Sequence, residues 1–484
     1  MQDGLIGLDT YLDEYQKYSF SPEEIMIIAV VAKNLGDDEI ISKILQDREK
    51  FGFSEMNTVE FLDLFGKDKI IEIIKNATKY DISNLELSNL ICLIQDEKFI
   101  LKWIEENKDV YSFTEEEFFT MLLASKNESI IQSYIRKKHT SISNMEKITL
   151  PSNMSIGIEL ESEGKNSYVI LQMQELFDKW NVKDDISLNK GIEVVSPIIY
   201  GNESTRDIYQ VCERLKLAGQ VSNKNCGGHI HIGANYLTSA QSYRNLIDLW
   251  TNTEKIMYLI SNCAGELPRN GVNLYASPIS KVIKEALAGE NVDLETENDL
   301  DVFVKKLIQI QIEGKKSSNI LVRKSYCGIN FLNINNNSKK TIEFRIANGT
   351  IEPGTIIKNI NLFGGLVRVS EELYKIQMLN ENERNEQQKE KMGLFEIVIN
   401  SDNELTKLKA LLRLVVGNDM EYYINRYIVN SKLLEKQNDE IKHMLDEITL
   451  KGTNMLSRYL DSASRISKEG NKTKQDISHD EDGR

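Results

Sequence analysis

Two of the chain's five histidines sit one residue apart in Cys226–Gly233, which reads CGGHIHIG. Side chains alternate faces along a strand with period two. A strand here therefore points His229 and His231 one way, and Ile230 and Ile232 the other. Three further stretches repeat the design. In Ile156–Glu161 (IGIELE), Glu159 and Glu161 share a face, with Ile156, Ile158 and Leu160 behind. In Gly191–Pro197 (GIEVVSP), Glu193 shares a face with Val195. In Thr341–Ile346 (TIEFRI), Glu343 and Arg345 face opposite to Ile342, Phe344 and Ile346. Burying ionisable groups is costly unless they pair or bind metal. A single such strand is explained by a half-solvated sheet. Four, carrying Glu-x-Glu, Glu, His-x-His and Glu-x-Arg, are better explained by one shared site on a sheet face.

At 484 residues the chain exceeds one core, so two or three domains are expected. The net charge of −15 argues against sequence-independent binding to nucleic acid or to an anionic membrane, since both need a basic face. The five cysteines (Cys92, Cys212, Cys226, Cys263, Cys327) are odd in number, scattered, and form no CxxC. That fits a reducing cytosol and gives neither a disulfide framework nor a thiolate zinc site. The opening MQDGLIGLDT lacks the basic-then-apolar pattern of a signal peptide, and the longest apolar run, around Ile25–Ala32, is too short for a bilayer. A soluble, cytoplasmic protein is expected.

Residues 1–145 read as all-helical and internally repetitive. A turn followed by an apolar pair recurs as DDEII (Asp37–Ile41), KDKII (Lys67–Ile71), DEKFI (Asp96–Ile100) and NESII (Asn127–Ile131), in steps of 30, 29 and 31 residues. A period near 30 residues is the signature of stacked helical hairpins, and such solenoids present extended binding surfaces. The expected partner is a protein or peptide; the alternative is a domain that makes a homo-oligomer or shields the site. Ser21-Pro22-Glu23-Glu24 supplies a helix cap and a first-turn proline. The polar, proline-ended stretch His139–Pro151 marks a boundary.

Strand and helix periods then alternate through a catalytic domain at 150–400. Helices are expected over Ser167–Trp180, from Ser204 with Asp207 completing a capping box, and over Thr238–Ser261 with Thr238 and Gln241 as another box. Arg269 lies beside the turn signal Asn270-Gly271, either closing over a phosphate or simply solvated. Tyr326–Ile334 reads as a strand with Asn330 and Leu332 on one face. From Thr355 the pattern is helical, including Ile356–Met378 and Glu404–Val416, with residues 401–463 as a C-terminal helical region. Glu381–Lys391 reads as a solvated helix face or a linker. The tail at 464–484 has little that can pack and is expected to be disordered.

Carboxylates with an imidazole and an arginine make a hard-cation site with a phosphate clamp. Magnesium prefers oxygen ligands and keeps waters and substrate phosphates in its shell. Arginine grips phosphate oxygens bidentately and stays charged. No P-loop, Rossmann fingerprint or GxSxG elbow occurs. Cys226 as a nucleophile paired with His229 is disfavoured, because residues three apart on a strand face opposite ways. His-x-His plus Glu also suits iron, manganese or zinc in an oxygenase or hydrolase. That needs a third neutral ligand, and His139, His443 and His479 fall in helical or tail segments.

The segments GIELE, DISL (Asp185–Leu188) before GIEVVSP, GGHIHIG and TIEFRIANGT, in that order, resemble the signature segments of the amidoligases. That family is a branch of the glutamine synthetase and glutamate–cysteine ligase superfamily of carboxylate–amine ligases. The resemblance covers Ser155–Gly365 and leaves out the repeats. It implies an α+β fold: a curved antiparallel sheet with helices on one face, preceded here by the repeats and followed by C-terminal helices. It implies ATP-dependent amide formation with Mg²⁺. By motif, Glu159 and Glu161 correspond to first-strand metal carboxylates, and Glu193, His229 and Glu343 to further metal ligands. His231 corresponds to a nucleotide-phosphate contact and Arg345 to the phosphate-stabilising arginine. The sequence departs from glutamine synthetase in two ways. The metal carboxylates between the first strand and the histidines are reduced to Glu193, with Glu203 a poor substitute. The phosphate-binding arginine loop has only Arg269 and Arg323 as candidates. The number of metals, and an inactive nucleotide-binding scaffold as the alternative, stay open.

Overall fold

The structure is a computed structural model that describes residues 12, 20–36, 38–138, 145–173, 179–188, 191–288, 294, 296–313, 326–336, 338–437, 440–448 and 452–455. Arg323, His139, His479 and the tail at 464–484 lie outside the described residues. The strands are β1 (Ser155–Glu163), β2 (Asn181–Asp185), β3 (Gly191–Val195), β4 (Ile199–Tyr200), β5 (Gly227–Gly233), β6 (Ile329–Asn330) and β7 (Thr341–Asn348), and they belong to one open antiparallel sheet of seven strands. The chain divides into two compact units: Met1–Asn144 with Ser162–Val195 and Tyr209–Ser222, and Met145–Glu161 with Ser196–Ile208 and Asn223–Arg484. No described helix is long and apolar enough to cross a membrane.

Among the described residues the first unit contains four helical hairpins: α1 (Pro22–Leu35) with α2 (Asp38–Gln46), α3 (Glu55–Asp63) with α4 (Lys67–Lys75), α5 (Asn84–Ile94) with α6 (Glu97–Asn107), and α7 (Glu115–Ala124) with α8 (Glu128–Lys138). The leading helix of each hairpin opens on a capping box, formed by Ser21 and Glu24, Ser54 and Asn57, Ser83 and Glu86, and Thr114 and Glu117. In such a box two backbone N–H groups that the helix leaves orphaned are satisfied reciprocally by side chains. The second helices begin at the recurring motif, which buries Ile41, Ile70, Ile100 and Ile131. Helix α5 packs on both α3 and α7, so the leading helices stack in sequence.

Later passages complete this unit. Tyr168 Oη donates to Asp63 at 2.8 Å, Asn166 Nδ2 donates to Thr120 Oγ1 at 3.1 Å, Gln95 Nε2 donates to the Gln172 carbonyl at 2.8 Å, and Arg214 pairs with Glu128. The helix expected over Ser167–Trp180 is described as Ser167–Gln172; Leu176 and Phe177 lie outside the described residues. Trp180 is buried and leads directly into β2, whose hairpin with β3 sets Lys183 opposite Glu193.

In the second unit β1 pairs with β4 and β5, β5 with β7, and β7 with β6, all antiparallel. The apolar rows of β5 and β7 pack on two long helices, Ala240–Ile260 and Pro353–Gln377. Phe344 of β7 stacks on Phe363 at 4.7 Å and meets Trp250 at 5.6 Å. Helices thus take one face of these strands, and the polar row is left on the other.

Three local expectations are corrected here. The box that opens the Ala240–Ile260 helix is Ser239 with Ser242, while Thr238 bonds Glu371 through both its N–H and its hydroxyl. Ser204 spends its hydroxyl on the Tyr200 carbonyl, before the helix Thr205–Leu217 begins. The strand expected over Tyr326–Ile334 is only Ile329–Asn330, followed by a 3₁₀ turn at Leu332–Asn335. Asn330 Oδ1 accepts from the Leu332 N–H at 3.1 Å, an Asx turn that leads the chain off the sheet.

Two buried polar groups tie this unit together. Glu254, on the Ala240–Ile260 helix, accepts from Trp250 Nε1 (2.8 Å), the Ile279 N–H (2.9 Å), the Ser280 N–H (3.0 Å) and the Ser280 hydroxyl. It therefore caps the helix Ser280–Ala288. Asp248 accepts from Thr453 Oγ1 at 2.6 Å and from the Met455 N–H at 2.9 and 3.0 Å, fastening residues 452–455 to the same helix.

Candidate functional site

Register brings the ionisable residues together. Glu159 on β1 lies opposite His229 on β5, and His231 lies opposite both Gly157 on β1 and Glu343 on β7. A Cβ at position 157 would stand 3.3 Å from that of His231, so glycine there leaves the imidazole its room. His229 Nδ1 is 2.9 Å from Glu159 Oε2 and 4.0 Å from Glu343 Oε1, while its Nε2 is 3.5 Å from Glu161 Oε1. His231 Nδ1 is held by Thr341 Oγ1 at 3.0 Å. Its Nε2 lies 3.2 Å from Glu159 Oε1 and 3.9 Å from Glu343 Oε1, without the alignment of a hydrogen bond.

Three cations close the cluster. Arg269 is buried, with Nη1 3.2 Å from Glu161 Oε2 and Nη2 3.4 Å from His229 Nε2. It enters because position 227 is glycine: a Cβ there would stand 1.6 Å from Nη1. The solvated alternative for Arg269 is thereby excluded. Arg345 pairs with Glu343, donates Nε to the Tyr275 carbonyl at 3.1 Å, and lies over the Tyr326 ring at 4.8 Å. Lys339, at the exposed rim, reaches Glu159 Oε1 at 3.3 Å.

Burial works against the charged forms of Glu159 and Glu343, but their partners prevail. Burial raises the Glu159 carboxyl, and the hydrogen bond of His229 with the nearby charges of His229 and His231 outweighs it and holds the group well below the ordinary range. Burial likewise raises Glu343, and Arg345, His231 and His229 bring it down. Both stay ionised.

Glu159, His229 and Glu343 can each offer a ligand atom, and these atoms lie within 4.8 Å of one another. Two carboxylate oxygens with an imidazole nitrogen fit a small divalent cation. Of the other expected residues, Glu161, His231, Arg269 and Arg345 border this group. Glu193 lies in the first unit, where it faces Lys183 at 3.9 Å. Cys226 is buried, with Sγ 3.7 Å from Asn223 Oδ1. Sequence reasoning missed Lys339 and the amides that hold Glu343; the Lys339-Lys340 pair just before the Glu-x-Arg strand is the signal that was there to use.

Carboxylates, imidazoles and guanidinium groups thus converge on one sheet face. Residues 133–367 match the family model described as "putative amidoligase enzyme". The match includes β1, β5 and β7 and begins inside α8. No curated protein matches the chain.

Proposed function

We propose that the chain is an ATP-dependent carboxylate–amine ligase with a glutamine synthetase-like catalytic fold. The observation that carries this reading is the convergence of Glu159, His229 and Glu343 beside Arg269 and Arg345 in the segment that matches the amidoligase family model. In the proposed reaction a substrate carboxylate oxygen attacks the γ-phosphorus of ATP, the β–γ bridging bond breaks, and ADP leaves. An amine then attacks the acyl carbon, phosphate departs, and the amine loses a proton. A bound Mg²⁺ supplies Lewis-acid neutralisation of phosphate charge. Glu159, His229 and Glu343 would hold it, while Arg345 and Arg269 offer donors to phosphoryl oxygens as charge develops. The absence of disulfides among the five cysteines supports a reducing, cytoplasmic setting.

A second reading, a nucleotide-binding scaffold without turnover, draws on the pairing of Glu159, Glu161 and Glu343 with Lys339, Arg269 and Arg345. Those pairs balance the charge with no metal present. One series separates the two. Binding to the native state stabilises it by ~2.7 kcal/mol at a hundredfold excess over Kd. ATP with Mg²⁺ is expected to raise the unfolding temperature of the wild type and not of Glu159→Ala, and a ligase releases ADP when its substrates are added. A shift without ADP release favours the scaffold; no shift with ATP, with or without magnesium, sinks both.

A further inference from the structure

Glu343 is held by a chain of amides whose orientation the backbone dictates. Gln311, fully buried on the helix Leu300–Glu313, accepts at Oε1 from the Phe331 N–H at 2.9 Å. A backbone N–H can only donate, so Gln311 must turn its amide nitrogen to Asn330 Oδ1, 2.7 Å away. The Leu332 N–H donates to that same oxygen, which leaves the Asn330 nitrogen for Glu343 Oε2 at 2.8 Å. Asn333, in the 3₁₀ turn that follows, donates to this oxygen as well, also at 2.8 Å. Oε2 thus takes two amide donors. Oε1 is the oxygen turned toward Arg345, His229 and His231.

We propose that Gln311, Asn330 and Asn333 are positioning residues that make Glu343 a one-oxygen metal ligand, and so set a preference for Mg²⁺ or Mn²⁺ over Ca²⁺. This rests on the metal reading of the site given above. Ca²⁺ takes six to eight oxygens in flexible geometry and often draws both from one carboxylate, whereas Mg²⁺ demands near-octahedral geometry. A carboxylate with one oxygen already saturated can serve the second kind of ion and is poorly suited to the first. Outer partners of this sort fix ligand orientation, and losing one costs about 10–100-fold in metal affinity.

The test uses the full chain, with Mn²⁺ as the probe counted by paramagnetic resonance, Ca²⁺ as the competitor, and thermal unfolding in EDTA as the control. Asn333→Ala removes one donor at the half-buried end of the chain. Gln311→Glu keeps the shape but cannot donate to Asn330 Oδ1. Each is expected to weaken Mn²⁺ binding by about 10–100-fold while Ca²⁺ changes less, so the ratio between the ions narrows. A merely structural role would lower the unfolding temperature in EDTA and leave that ratio alone. Wild-type affinity and an unchanged ratio in Asn333→Ala overturn the proposal, even if Gln311→Glu fails to fold. An equal loss for both ions overturns it too. A wild type that binds neither ion is a separate failure, which removes the metal reading itself and this proposal with it.

Discussion

At Arg345 charge and shape can be separated. Its guanidinium stacks on Tyr326 and divides its donors between Glu343 and the Tyr275 carbonyl. Lysine keeps the charge but cannot reproduce the planar fork. Arg345→Lys is therefore expected to fold and to lose most ADP release in a coupled assay; release near the wild-type rate would reduce Arg345 to a structural partner of Glu343. Glu159, Glu161, His229, His231 and Glu343 are legible in the sequence because a period of two turns phase along the chain into a shared face. Other residues have no such period. Arg269 reaches the cluster from a loop, and only the missing Cβ of Gly227 shows why it fits. Gln311 and Asn333 act through amides whose partners are fixed by tertiary structure. Glu193 carries the same alternating pattern yet faces Lys183, because phase gives the face of a side chain and not its partner.

Among elements, local chemistry reads well and long-range chemistry does not. The Ser21 cap with Pro22 forms as the sequence predicts, since a cap and the N–H it serves lie three residues apart. The Ala240–Ile260 helix is anticipated with its cap misplaced by one residue. Thr238 would serve as well locally, but Glu371 from a distant helix claims it. Glu254 is the reverse case: a charged residue on an otherwise apolar helix face whose purpose is to cap another helix. Burial pushes its pKa up, and its hydrogen bonds from Ser280, Ile279 and Trp250 act against that. Glu254→Gln must turn an amide nitrogen toward the Ile279 or the Ser280 backbone N–H, each of which can only donate. The expected cost is about 1–3 kcal/mol, read as a fall in the urea midpoint. An unchanged midpoint would show that Glu254 does not act as an all-acceptor cap.

For the molecule as a whole, the open matter is what the helical hairpins are for. We propose that they hold a peptide or protein whose carboxylate or amine is one reactant, since a small amino acid would not need them. The test belongs to the full chain, because Asn166, Tyr168 and Arg214 complete the packing of those helices. ADP release is expected with peptide mixtures and not with free amino acids; full activity on free amino acids alone would refute the idea. That Ser162–Val195 and Tyr209–Ser222 join Met1–Asn144 was not legible in the sequence, because alternating periods mark elements and not which elements cluster. It also bears on how the protein is made. The first unit is finished only by Tyr209–Ser222, after the chain has already begun the second with Met145–Glu161. On the ribosome, then, the hairpins emerge first but wait, incompletely packed, until nearly half the polypeptide has been translated. Both units must mature as overlapping events within one nascent chain.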